Sequence, residues 1–112
     1  MENELFVSVL FDYYSALLTE RQRDIFEMYV NKNLSLSEIA ENLGISRQGV
    51  RDGLVKAEKA LVEYEEKLGI HGKNQKLSVI LDDLKSLVAE ADIPDNKKEE
   101  IKNLTDLIDE LI

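Results

Sequence analysis

The sequence predicts an all-α fold, a helix-turn-helix core with a long recognition helix as the third of its three helices, followed by a C-terminal helical hairpin. Three observations predict it. One Pro and five Gly in 112 residues, with no alternating β-branched runs, leave little room for strands. Two Ser/Thr-x-x-Glu/Gln capping boxes, at Thr19/Gln22 and Ser35/Glu38, mark helix starts. Apolar residues then recur at helical spacing as far as Leu111.

The first helix is expected over about Glu4 to Leu18, with Leu5, Val9, Phe11, Tyr13, Leu17 and Leu18 among its apolar residues. Thr19 caps the second, in which Ile25, Phe26, Met28, Tyr29 and Val30 fall at core spacing, and Asn31-Lys32-Asn33 is a polar turn. Ser35 caps the next helix, whose Leu36, Ile39, Ala40 and Leu43 share one face. Gly44 stands where the chain needs a positive φ to leave that helix, and Ser46 can cap the one that follows.

That recognition helix continues well past a groove-reading length, from Arg47 to Leu68, where Gly69 supplies a C-terminal cap and Ile70 its hydrophobic partner. Val50, Leu54, Ala57, Leu61, Tyr64 and Leu68 form a heptad-spaced seam along it, expected to be ordinary core rather than an extended coiled coil. Residues 1–70 are thus one helix-turn-helix domain. His71 to Lys76 reads as a hinge, and residues 71–112 as a hairpin. Its first helix carries Leu77, Ile80, Leu81, Leu84, Leu87 and Val88 and ends near Ala91; a turn at Asp92-Ile93-Pro94-Asp95 leads to a second, with Ile101, Leu104, Leu107, Ile108 and Leu111. A lone hairpin of this length buries too little area to stand alone, so it packs on the long helix, on a second copy or on a partner, and a homodimer is expected.

Composition removes whole classes of function. Without Cys and with a single His, neither a disulfide scaffold nor a structural zinc site is expected, and no Cys nucleophile exists. His71 reads as a linker residue, and no carboxylate pair or Ser/His arrangement forms a catalytic constellation. Gly44, Gly49 and Gly53 lack the spacing and the Lys-Ser/Thr ending of a phosphate-binding loop. No enzyme activity, metal or cofactor is expected. An acidic start, Met1-Glu2-Asn3-Glu4, and the lack of an 18-residue apolar run argue against a signal peptide or a membrane span, and so for a cytoplasmic protein.

The net charge of −9 is unevenly distributed. Residues 1–45 carry three basic and eight acidic side chains, residues 46–76 seven and five, residues 77–112 four and ten. Only the recognition-helix segment is positive. The candidate binding residues are therefore Arg47, Gln48, Arg51 and Lys56, at the end of that helix that reads base edges in a helix-turn-helix. Phe11, Tyr13 and Tyr14 read as core rather than a base-stacking platform, and Asp82-Asp83 and Glu99-Glu100 as solvated faces.

Glu20 to Phe26, Leu34 to Ala40 and Leu43 to Arg51 resemble region four of bacterial sigma factors, which reads promoter DNA through a helix-turn-helix. The chain resembles more closely the YlxM family of small bacterial helix-turn-helix proteins. Leu10-Phe11-Asp12-Tyr13-Tyr14 before Leu17-Leu18-Thr19, the turn Ser46-Arg47-Gln48-Gly49-Val50 and the helix end Tyr64-Glu65-Glu66-Lys67-Leu68-Gly69 carry that likeness. It covers residues 5 to 70 by motif and the tail by length and pattern. What the resemblance implies is a non-enzymatic accessory of the signal recognition particle pathway, beside whose genes the family is encoded, acting on the particle's protein, its RNA or both.

The chain departs from the sigma pattern at Gly49, Asp52 and Gly53. Two glycines within five residues are expected to loosen the helix that enters a groove, and Asp52 sets a negative charge beside the phosphates. Two other readings stay open. One is a DNA-binding regulator using Arg47, Gln48, Arg51 and Lys56 in the major groove. The other is a dimerisation module with no nucleic-acid role.

Overall fold

A computed structural model of the chain describes residues 4–112; the acidic start read as evidence against a leader lies, up to Asn3, outside the described residues. Among the described residues six α-helices follow one another: α1 (Glu4–Tyr14), α2 (Glu20–Phe26), α3 (Leu36–Leu43), α4 (Arg47–Leu68), α5 (Ile70–Glu90) and α6 (Asp95–Leu111). No strand occurs among the described residues. The chain divides into two compact units, Met1–Gly69 and Ile70–Ile112.

In the first unit α4 is the central element, packed by α1, α2 and α3. Val50, Leu54, Ala57 and Leu61, the first four residues of its seam, are core; Tyr64 is half-buried and Leu68 46% exposed. On α1 the buried stripe is Val7, Leu10, Phe11 and Tyr14, continued by Leu18, a 3–1–3–4 spacing that keeps one helix face inward. Leu5 is 82% exposed, and Tyr13 lies at the surface rather than in the core. The Phe11 and Phe26 rings pack at 4.8 Å between centroids, tying α1 to α2.

The first helix ends earlier than its apolar spacing predicts. After Tyr14 the chain tightens into a 3₁₀ turn, Ser15–Leu17, and Leu18 is extended, which sets Thr19 in the β conformation an N-cap needs. Arg23 supports that early stop: its guanidinium donates to the carbonyl of Ser15 (3.1 Å), which also accepts the Leu18 N–H, and to that of Leu18 (3.2 Å). Two long-range hydroxyls fix the same corner against α4. Tyr14 donates to Glu65 Oε1 at 2.6 Å and Tyr64 to the Leu17 carbonyl at 3.0 Å.

Both capping boxes form as the sequence predicts, with Thr19 accepting from the Gln22 N–H and Ser35 from the Glu38 N–H, each at 3.1 Å. The helix started at Thr19 does not end in a simple turn. It widens into a π-helical turn over Glu27–Asn31, closed by Lys32 N–H to Glu27 O, and Asn33 takes a positive φ of 54° before Leu34 bonds back to Met28 O.

The expected loosening of α4 at its glycines is not found: the helix runs unbroken from Arg47 to Leu68. Gly53 instead allows a close approach. A β-carbon there would lie 2.5 Å from Ile25 Cδ1, so the absence of a side chain lets α2 and α4 meet around the buried Ile25.

The second unit is a pair of helices, α5 and α6. The hinge expected at His71 to Lys76 is helical, and Ile70, expected as the hydrophobic partner of a C-cap, is the first residue of α5. Gly69, at φ 62°, ends α4 with its N–H on Glu65 O at 2.8 Å, and a new helix starts at once. Gly72 and Asn74 are tolerated because they stand in its first turns, where one glycine's cost of about 1 kcal/mol is outweighed by the amphipathic length that follows. Pro94 precedes the first turn of α6, and its carbonyl accepts from Lys97 and Lys98. Leu81 and Thr105 are the buried residues of the pair; the Thr105 hydroxyl is satisfied by the Lys102 carbonyl at 2.9 Å.

Candidate nucleic-acid or partner interface

The turn between α3 and α4 is built locally. Gly44, at φ 66° and ψ 34°, closes α3 with its N–H on the Ala40 carbonyl, and nothing stands within 4 Å of where a side chain would start. Two residues later Ser46 is extended, and its Oγ accepts the Gly49 N–H at 3.0 Å. This pair of caps fixes the start of α4. Arg47, Gln48 and Arg51 therefore fall in the first turns of a helix whose free N–H groups and dipole favour negative charge.

Arg47, Gln48, Arg51 and Lys56 are all exposed. Three of them come together: Arg47, Gln48 and Arg51 line one shallow depression with Leu36 of α3. Arg47 and Arg51 stand one turn apart on the same side, and among the described residues neither makes an ion pair. Lys56 is not part of this group. Nine residues beyond Arg47, it lies half a helical revolution away and about 13 Å further along the axis, at the opposite margin of the exposed face.

Gln48 is held within its own helix. Its amide donates to Asp52 Oδ1 at 2.9 Å, an i,i+4 bond that engages one N–H of the amide a base-reading glutamine turns toward adenine. Asp52 thus positions Gln48, besides placing a carboxylate next to the two arginines.

One feature of the site goes unpredicted. Val55 is 60% exposed on the outward face of α4, and with Tyr29, Leu36, Leu54, Arg51 and Glu58 it lines a second depression adjoining the first. The available signal is negative: Val55 is an apolar residue of α4 that belongs to none of the seam positions. The face therefore offers two guanidinium groups beside an apolar patch. Among the described residues no group of three His, Asp or Glu side chains is placed to hold a metal ion, and no described helix is long and apolar enough to cross a membrane.

Comparison with known proteins agrees with the helix-turn-helix geometry. The family model UPF0122, described as "Putative helix-turn-helix protein, YlxM / p13 like", matches residues 1–105. A UPF0122 protein of Caldanaerobacter subterraneus is 49% identical over 89 residues, covering 79% of this chain and 76% of that protein. One from Clostridium novyi is 39% identical over 109 residues, 92% of this chain and 95% of the relative. A third, from a Thermoanaerobacter species, is 52% identical over 81 residues, 72% and 69% of the two chains. With nearly its whole length matched, the chain belongs to the UPF0122 family of YlxM/p13-like helix-turn-helix proteins.

Proposed function

We propose that this chain is a non-enzymatic accessory of the signal recognition particle, docking on the particle's RNA, its protein subunit or both through the exposed face of α3 and the start of α4. The observation that carries the reading is the pairing of Arg47 and Arg51, free of ion pairs among the described residues, with the exposed Val55 on the same face. Guanidinium groups grip phosphates or carboxylates, and an apolar neighbour suits a protein surface or an unstacked base better than a phosphate-lined groove. The resemblance to the YlxM family supplies the partner.

Sequence-specific duplex DNA is the second reading, favoured by the helix-turn-helix itself and by the position of Arg47 and Arg51 at the start of α4. Against it stand the tethered Gln48 and the carboxylate of Asp52.

Titrating the full chain against particle RNA, the particle's GTPase subunit and random and operator-like duplexes over a range of salt separates the two. For the proposed role, particle components bind and random duplex binds weakly. In an Arg47→Ala, Arg51→Ala double variant the log-log salt slope on RNA falls by about 1.4, or roughly 0.7 for each phosphate that a guanidinium no longer neutralises. No binding to either particle component overturns the proposal, and tight, sequence-dependent duplex binding replaces it with the second reading.

A further inference from the structure

The two-helix unit has two unlike faces. On one, an apolar groove between α5 and α6 is flanked by Lys85, Lys98, Lys102 and Asp106. Lys85 pairs there with Asp109 and Asp106, and Asp82 stands close enough to act on the same ammonium. Three of the unit's six lysines and three of its aspartates are thus gathered around that groove.

The other face is apolar. Ile80, Leu84 and Leu87 on α5 follow one another at spacings of 4 and 3, as do Leu104, Ile108 and Leu111 on α6. All six are between 39% and 85% exposed. Taking the buried Leu81 and Thr105 as the inward direction of each helix, both triplets rotate to the same side of the antiparallel pair, away from Lys85 and Lys102. The stripe is therefore continuous across both helices. Leu77 extends it along α5, at 42% exposed.

We propose that this face pairs with the same face of a second copy of this chain, forming a four-helix bundle from two α5–α6 hairpins. Alternating 3 and 4 spacing is the seam by which four-helix bundles interdigitate, and two helices from each copy complete one. The area is sufficient. About seven side chains, each contributing on the order of 100 Å², give roughly 700 Å² per copy and ~1,400 Å² in the dimer, within the ~1,200–2,000 Å² of specific interfaces. Charge permits it too. Asp82, Asp106 and Asp109 lie toward the groove, and Asp83 and Glu100, exposed at the border of the stripe with Glu100 paired to Lys97, fall at the rim of such a contact rather than at its centre. A two-fold contact of this kind is isologous and closes on itself, giving a dimer rather than a filament.

Sedimentation of the full chain from 1 to 100 µM tests the proposal. The expected result is twice the 12.8 kDa of one chain, with a dissociation constant insensitive to salt. A Leu84→Glu, Leu104→Glu double variant is expected to sediment as a monomer. Because that change can also unravel the hairpin, Leu87→Ala is measured beside it, with an expected tenfold rise in the dissociation constant and full helicity at high concentration. Val55→Glu, on the first unit, is expected to leave the dimer unchanged. A wild-type monomer at 100 µM, a dimer unmoved by the α5 and α6 substitutions, or a dimer dissociated by Val55→Glu would each overturn the assignment.

Discussion

Gly53 makes the contact of α2 with α4 testable by the sign of a mutation. In Gly53→Ala the new methyl would sit 2.5 Å from Ile25 Cδ1, about 1 Å inside a normal carbon–carbon contact. Ile25 is 1% exposed, so its side chain has no solvent to move into, and overpacking of this kind costs about 1–3 kcal/mol. Replacing a mid-helix glycine by alanine returns up to ~1 kcal/mol, leaving a net loss of about 1 kcal/mol. Ile25→Val removes the δ-carbon. The next Ile25 atoms, Cγ1 and Cγ2, lie 3.8 and 3.9 Å from the new methyl, which is ordinary contact. In that background the clash is gone and the helix gain remains, so Gly53→Ala is expected to stabilise by up to ~1 kcal/mol, a coupling of about 1–2 kcal/mol between the two sites. Urea unfolding followed by circular dichroism on the four proteins of the cycle measures it, with m-values that should not change. A Gly53→Ala effect of the same sign and size in both backgrounds would refute the close-approach account.

The caps carry a second prediction. Ser35→Ala and Ser46→Ala should each lower unfolding stability by about 1 kcal/mol, whereas the Gly substitutions should cost only a few tenths; equal losses for Ala and Gly would mean the hydroxyl bonds to the Glu38 and Gly49 N–H groups contribute nothing. On α5, the hydrogen bond from Lys85 to Asp109 raises the ammonium pKa above its ordinary 10.5, against a smaller opposing effect of burial. A raised folded-state pKa gives stability that is fully present below 10.5 and lost as pH climbs through the folded value. The pair therefore holds through the neutral range and weakens only in strong alkali. A Lys85 side-chain NMR titration should move to lower pH in Asp109→Asn; an unmoved midpoint would remove Asp109 as the cause.

What the sequence makes legible is what short-range physics decides. Thr19/Gln22, Ser35/Glu38, Gly44 and Ser46 each act within four residues, so their pattern is readable without knowing what they pack against. The same holds for the placement of Arg47, Gln48 and Arg51 in one depression at the start of α4, which follows from their offset from the Ser46 cap. Features set by distant partners are not legible. The early end of α1 depends on Arg23 reaching the Ser15 and Leu18 carbonyls. Gly53 looks like a weak point of the helix until Ile25, 28 positions earlier, is placed against it. Gly72 and Asn74 read as a hinge when composition is weighed without the long amphipathic helix they begin. Val55 is silent in the sequence because its significance lies in exposure, which spacing alone does not give.

Electrostatics connects the site to the choice of partner. A duplex carries about one charge per 1.7 Å of axis and meets a docking protein along several turns, so every carboxylate near the contact opposes it. Here the cationic residues are few and the anionic ones close. Asp52 follows Arg51 directly, and exposed Glu38 and Glu41 lie on α3, a helix only about 12 Å long and so comparable with the ~8 Å Debye length at physiological salt. A partner that presents one or two phosphates, or a carboxylate pair, at a point meets Arg47 and Arg51 without spreading over those acids. Such a contact releases few counterions. The salt slope of the native complex should therefore be near that of two phosphates, far below the roughly six to ten typical of a groove-spanning repressor, and its size separates a local ribonucleoprotein contact from a duplex reader before any target sequence is known.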